Sequence, residues 1–308
     1  MRITAANAFE TSIKNLQKRQ EGLSDAQDRL TAGKRVVTAS DDPVAAARAE
    51  RALAAMVRSE ANQRALEASR HVMQQAESAL GDAGELLQQA RELVVQAGNG
   101  SYDSSNRETL AEALRGIRKQ LLGVSNRGDG AGGYVFAGQG ADSPPFVDSP
   151  AGVVYRGAAG EILAPSDEPL PLSVDGQRAW LGATDPSGSG TVSVFTALDD
   201  IIGKLEDPTL GEADVAAAVK SGLADVDAVM NNVLTVRAAA GEALNRTDLV
   251  ESRIAESKLA AQTERSNAED LDMVQAISDF QNKQTGYDAA LKTYSLVQRQ
   301  SLFQYLSA

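Results

Sequence analysis

The chain has 308 residues, no cysteine and one histidine, His71, which excludes disulfides, thiolate metal sites, cysteine nucleophiles and multi-histidine metal centres. Apolar residues make up 43% of it but aromatics only 4%, a balance that suits long, closely packed helices better than a thick core around a pocket. The net charge of −12 argues against a nucleic-acid or anionic-membrane partner, and no run reaches the roughly 18 apolar residues of a membrane span.

The excess charge is uneven. Residues 141–230 hold 15 Asp/Glu against 4 Lys/Arg, whereas residues 1–35 hold 7 Lys/Arg against 4 Asp/Glu. The middle therefore reads as an acidic, solvated unit and the N-terminal arm as mildly basic. The start, Met1-Arg2-Ile3-Thr4, lacks the apolar core of a cleaved secretory signal, which by that rule alone reads as cytoplasmic.

In chain order, Ala6, Phe9, Ile13, Leu16, Gln20, Leu23, Gln27 and Leu30 follow a three-and-four spacing. This predicts a first helix over about 5–30 that ends near Gly33, with one narrow apolar stripe of the kind found on coiled-coil seams. A link leads to Asp41-Asp42-Pro43, where Asp42 as N-cap with Pro43 at the first helical position starts a second helix running to about Ala97. Its seam is Leu66, Ser69, Met73, Ala76, Leu80, Ala83, Leu87, Ala90, Val94 and Ala97, large residues alternating with small ones that let backbones approach closely. Gly98-Asn99-Gly100 ends it. Ser105 and Glu108 suggest a capping box for a third helix along Leu110, Leu114, Ile117, Leu121 and Val124, making an antiparallel hairpin.

Composition changes at Gly123. From there to Gly190 lie 14 of the 26 glycines, and seven of the nine prolines fall between Pro144 and Pro186. Short runs at 134–137, 153–156, 161–163, 170–174 and 179–181 predict a small β domain. Helix returns over 191–206 and continues after Pro208 with breaks expected at Gly222 and Gly241, its buried face marked by Val215, Val219, Val226, Met230 and Val233. The last stretch repeats the opening pattern through Met273, Ile277, Phe280, Gln284, Tyr287, Leu291, Tyr294 and Gln298, with Leu302 and Phe303 beyond.

The fold expected is mainly α: an elongated antiparallel helical bundle or coiled-coil rod with a small inserted β domain. Residues 1–40 and 260–308 would form terminal assembly arms, 41–130 and 191–259 a helical rod domain, and 131–190 the β domain. Six apolar seam residues cannot offset the backbone entropy of ordering an arm of about 25 residues, so the arms are expected to need surface from neighbouring subunits. The seam glutamines Gln20, Gln27, Gln284 and Gln298 either set register across subunits or sit half-wet.

No catalytic, cofactor-binding or metal site emerges. Gly128-x-Gly130-x-x-Gly133 follows a helix and precedes a strand, the reverse of the dinucleotide-binding context, and reads as a connector. Arg127-Gly128-Asp129 is a short match easily met by chance. His71 lies beside Met73 as a structural or surface residue. Asp42 is explained by capping rather than by a carboxylate pair with Asp41, and Asp225 and Asp227 read as exposed helix positions.

Leu30-Thr31-Ala32-Gly33-Lys34-Arg35-Val36 with Ala39-Ser40-Asp41-Asp42-Pro43 resembles the N-terminal signature of bacterial flagellins. The stretch from Glu269-Asp270-Leu271-Asp272-Met273 through Ile277 to Ser301-Leu302-Phe303-Gln304-Tyr305-Leu306 resembles the other end of that superfamily. Between them, Gly133-Tyr134-Val135-Phe136-Ala137-Gly138 and Pro144-Pro145-Phe146 resemble the hook–filament junction proteins (hook-associated protein 3) more than flagellin itself. The resemblance implies export through the flagellar type III apparatus with an export chaperone. It also implies assembly in a helical lattice between the hook-side junction protein and flagellin, with the termini in the inner tube wall and the β unit facing outward. The assembly seam would be Phe9, Ile13, Leu16, Leu23, Leu30, Met273, Ile277, Phe280, Tyr287, Leu291, Tyr294, Leu302 and Phe303. A flagellin-type filament subunit is the nearest alternative, and an intracellular coiled-coil adaptor an alternative of another class.

Overall fold

A computed structural model describes residues 2–99, 102–140, 143–188 and 190–306, with side chains described from Glu10 to Leu296 within them. Gly100 lies outside the described residues. Among the described residues seven helices dominate: α1 (Arg2–Ala32), α2 (Pro43–Ala97), α3 (Ser104–Ser125), the short α4 (Gly176–Leu181), α5 (Val194–Glu206), α6 (Glu212–Glu269) and α7 (Met273–Leu306). Two antiparallel two-stranded ribbons lie between α3 and α5. One pairs β1 (Phe146–Ser149) with β2 (Gly152–Tyr155), with Phe146 opposite Tyr155, and the other pairs β3 (Ala183–Thr184) with β4 (Thr191–Val192). The fold is mainly α with a small β insertion, as the sequence predicts.

Two compact units are present: Met1–Ser59 with Glu256–Ala308, and Glu60–Ala255. In the second, the α2 seam is closed. All ten residues from Leu66 to Ala97 are between 0% and 2% exposed; those from Met73 onward share one core with Ala111, Leu114, Ile117 and Leu121 of α3, Phe195, Leu198 and Ile201 of α5, and Val215, Val219, Val226 and Val233 of α6, while Leu66 packs in a second cluster with Ala164, Leu170, Val250 and Ile254. Ion pairs flank this core: Arg70 with Glu251 (2.7 Å), Arg237 with Glu77 (2.6 Å) and Arg91 with Asp227 (2.7 Å). Positions rise along α2 as they fall along α6, so the two helices run antiparallel.

The β segment shares that core. Phe136, Phe146 and Trp180 are buried with Phe195; Phe136 meets Trp180 edge-on at 5.3 Å and Trp180 stacks on Phe195 at 6.3 Å. Arg118 of α3 clamps the hairpin to α5, donating to both carboxylate oxygens of Asp148 (2.7 and 2.9 Å) and to Asp199 (3.0 Å). Its guanidinium holds the Asp148 carboxyl below the usual range. Gly138 is required where it stands: its φ is +64°, and a Cβ would lie 1.8 Å from the Ala158 carbonyl oxygen.

Several elements differ from the sequence reading. The run 179–181 is helical, because Asp175 Oδ1 accepts from the N–H groups of Gln177 and Arg178 and starts α4; a local cap outweighs the strand preference of Trp180. The α3 cap is Asp103, not Ser105. Its side chain accepts from the Asn106 N–H at 2.8 Å, and a carboxylate gains further from the helix dipole there. The runs 161–163 and 170–174 meet through a Leu163–Pro171 bridge and the Leu172 N–H to Ile162 carbonyl bond (2.7 Å), because Pro169 and Pro171 cannot donate to a full ladder. The run 134–137 likewise makes isolated bridges, from Tyr134 to Gly128 and from Ala137 to Asp175. The returning helix starts at Val194, capped by Ser193, whose hydroxyl accepts from the Thr196 N–H at 2.8 Å.

Neither Gly222 nor Gly241 breaks α6, which is continuous from Glu212 to Glu269. A Cβ on Gly222 would sit 3.0 Å from Ile201 Cδ1, so this glycine serves the close approach of α5. At Gly241 no such neighbour exists, and burial of the flanking Val236 and Ala240 offsets the ~1 kcal/mol that a helical glycine costs. The interruption falls instead at residues 270–272.

Candidate assembly surface

In the first unit α1 lies alongside α7. At Gly33 α1 ends with a φ of +67° and the chain turns through residues 34–42 into α2. Asp41 organises this link: its Oδ2 accepts from the N–H groups of Val37 (3.1 Å) and Thr38 (2.8 Å), and Arg29 donates to Oδ1 at 3.2 Å. Asp42 Oδ1 accepts from Val44 and Ala45 at 3.2 and 3.0 Å, so it caps α2 with Pro43 as the first helical residue. Both carboxyls are held below their ordinary value, Asp41 first by the Thr38 N–H and Asp42 first by the Ala45 N–H. The pair is a turn-and-cap device, not an acid/base site.

The α6–α7 break is built the same way, with Asp272 Oδ1 accepting from Val274 (3.0 Å) and Gln275 (3.2 Å). The two links are tied together. Arg35 N–H donates to the Glu269 carbonyl at 2.7 Å, Leu271 N–H to the Gly33 carbonyl at 3.1 Å, and Arg35 Nη2 to the Ala268 carbonyl at 2.8 Å. Glu269 also receives Lys34 at 3.2 Å and Arg265 at 2.7 Å. The sequence reading missed this tie; the signal available was Asp272 directly before an apolar-periodic run, the same cap pattern as Asp42.

Beyond the links the described part of the seam is only partly covered. None of the predicted seam residues with described side chains is buried. Ile13, Leu16, Leu23, Leu30, Phe280, Tyr287 and Tyr294 are half-buried, and Met273, Ile277 and Leu291 are 46%, 45% and 41% exposed. Gln20, Gln27 and Gln284 are exposed as well. The side chains of Phe9, Gln298, Leu302 and Phe303 lie outside the described residues.

The remaining sequence candidates have structural roles. Arg127 donates to Asp82 at 2.5 Å, and Asp129 Oδ1 accepts from the N–H groups of Ala131 and Gly133, so the Arg-Gly-Asp tripeptide and the glycine motif form a folded connector after α3. His71 is exposed beside Gln75. Asp225 and Asp227, expected to be exposed, are half-buried: Arg91 contacts Asp227, and burial, with Asp185 and Asp200 nearby, pushes the Asp225 carboxyl up. No group of three or more potential metal-ligating side chains occurs among the described residues.

The two ends of the chain have counterparts among known proteins. Residues 4–141 match the bacterial flagellin N-terminal helical region and residues 223–306 the bacterial flagellin C-terminal helical region. Flagellar hook-associated protein 3 of Salmonella typhimurium is 31% identical over 220 residues, spanning 68% of this chain and 69% of that protein. The chain belongs to the flagellar hook-associated protein 3 family. A flagellar hook-associated protein from Vibrio parahaemolyticus superposes with a TM-score of 0.65 at 21% identity, covering 75% of this chain and all of that one. The flagellar junction protein FlgL from Legionella pneumophila does so with a TM-score of 0.55 at 17% identity, covering 62% and 95%. These two likenesses carry the fold.

Proposed function

We propose that this protein is a structural component of the bacterial flagellum, joining hook to filament and assembling through its terminal helices without catalytic activity of its own. The observation that carries the reading is the bare seam: heptad-spaced apolar residues on α1 and α7 that one chain leaves half-buried or exposed. Apolar stripes on antiparallel helices gain from burial against further helices, and copies of the same arms, with those of the hook-side junction protein and of flagellin, supply them. Membership of the hook-associated protein 3 family supports the same partners. In this reading residues 1–40 with 260–308 are the assembly arms, 41–130 with 191–259 the helical rod, and 131–190 the outward-facing β part. The chain reaches its site outside the cell by type III export, escorted by a flagellar chaperone that covers the arms.

Deleting residues 271–308 should abolish incorporation at the junction while leaving the core around Phe195 folded, read by immunogold labelling of flagella and by near-UV dichroism of the purified variant. Incorporation of the deleted chain would refute the arm reading. Growth of the intact purified protein by itself into long filaments would refute the junction assignment in favour of a filament subunit.

A further inference from the structure

The start of α2 and the end of α6 carry surface that the terminal seam does not use. At about 100° per residue, Leu53 and Val57 share one flank of α2, 37% and 56% exposed, with the exposed Glu50 beside them. The opposite flank borders a groove of about 760 Å³ between α2 and α6, formed by Arg48, Arg51 and Ala55 on one side and Ser257, Ala260 and Glu264 on the other. The walls are small residues and the α2 rim is basic. The buried line between the helices is built of small residues, Ala45, Ala49, Ala52 and Ser59 with Ala261 and Ala268.

We propose that this groove receives the Leu53–Val57 knob of a second copy of this chain, with Glu50 of that copy meeting the Arg48–Arg51 rim. An apolar pair with an acidic neighbour lies on one flank and, on the other, a small-walled groove with Arg48 and Arg51 on its α2 rim and Glu264 on its α6 rim, so the apolar pair fits the groove and Glu50 is complementary to the α2 rim. Because they lie on opposite flanks of one helix, no copy can satisfy both with a single partner. The contact is heterologous and adds copies in rows or rings rather than closing as a dimer. Two side chains and one charge pair fall well short of the ~1,200 Å² of a stable standalone interface. The contact therefore acts laterally between copies that the arms already hold, and so it rests on the assembly reading above.

The absence of native cysteine makes the test direct. In the full chain, Val57→Cys with Ala260→Cys places one thiol on each flank, and a separate Leu291→Cys variant reports association through the α7 seam. After mild oxidation of concentrated protein, the double variant should give a ladder of trimers and larger covalent species, each single variant at most dimers. Adding Glu50→Arg should reduce the ladder several-fold, and adding Arg51→Glu to that should restore it. Seam cross-linking through Cys at 291 without a flank ladder overturns the lateral contact and leaves the arm reading standing. A flank ladder without seam cross-linking overturns the dependence of the contact on the arms, and with it the arm reading. Absence of both overturns both, and a ladder indifferent to the charge reversals overturns the assigned register.

Discussion

Two stretches of this chain carry the same spacing and meet different fates. Along α2 the seam from Leu66 to Ala97 is fully buried, covered by α3, α5 and α6 of the same chain and, at Leu66 and Ser69, by the stretch around Ala164, Leu170 and Pro171. Along α1 and α7 a seam of the same three-and-four period leaves every described member at least partly open. Large and small residues alternate on the α2 seam, so it admits close helix approach, and the second unit supplies α3, α5 and α6 to cover it. The terminal seam carries leucine, isoleucine and aromatic residues with glutamine between them, and in the first unit each arm has one long neighbour. Periodicity identifies a contact surface; only the number of helices within reach decides whether the contact is made inside one molecule or between several.

The largest effect that separates the two seams is truncation. Leu87→Ala should cost ~2–5 kcal/mol of stability through lost burial and the cavity left behind, measured from denaturant midpoints, whereas Ile277→Ala should cost below ~1 kcal/mol in the monomer. An equal cost at both sites would mean that the arm seam is already closed within one chain. Next, Ile277→Asp together with Leu291→Asp should leave the monomer's thermal midpoint within ~2 °C of the parent yet lower junction incorporation at least about tenfold, since each charge would be buried only on assembly. Normal incorporation would break the comparison.

Smaller effects sharpen it. Glu269→Ala removes the carboxylate that Lys34 and Arg265 share, and hydrogen exchange at the amides of Arg35 and Leu271 should quicken while the α2 core amides stay unchanged; unaltered exchange would show that the backbone bonds alone hold the two links. The weakest effect is a pH dependence. Asp41 and Asp42 have carboxyls lowered from 3.8 in the folded chain, so their contribution to the link is complete above about pH 3.8 and is lost as pH falls through their lower folded values. Amide spectra of Val37, Thr38, Val44 and Ala45 should be constant from pH 5 to 8 and should shift only below 3.8; a transition near neutral pH would exclude these two carboxyls as its cause.

The long helices were legible because their signals are local and repeated. The α2 seam could be read residue by residue from its spacing, the α2 start from Asp42-Pro43, and the end of α1 from Gly33. The glycine- and proline-rich middle was not. There, side-chain caps such as Asp175 turned an apolar run into a helix, and prolines reduced extended runs to single bridges, events set by one or two hydrogen bonds rather than by a period. Gly222 and Gly241 misled for a related reason: propensity is a weak, single-residue effect, and the packing of α6 on α5 and α2 exceeds it. Of the candidate assembly surface, the seam residues were visible from spacing, while the tie through Arg35, Glu269 and Leu271 was not, since it joins positions more than 230 residues apart.

By itself the sequence determined which faces are apolar, where the long helices start and that the chain carries matching seams at its two ends, because these follow from side-chain identity at helical spacing. Tertiary structure alone decided which of those faces are covered. The α2 seam meets three partners within its own chain and closes. Among the described residues the terminal seam meets one, and it stays partly open.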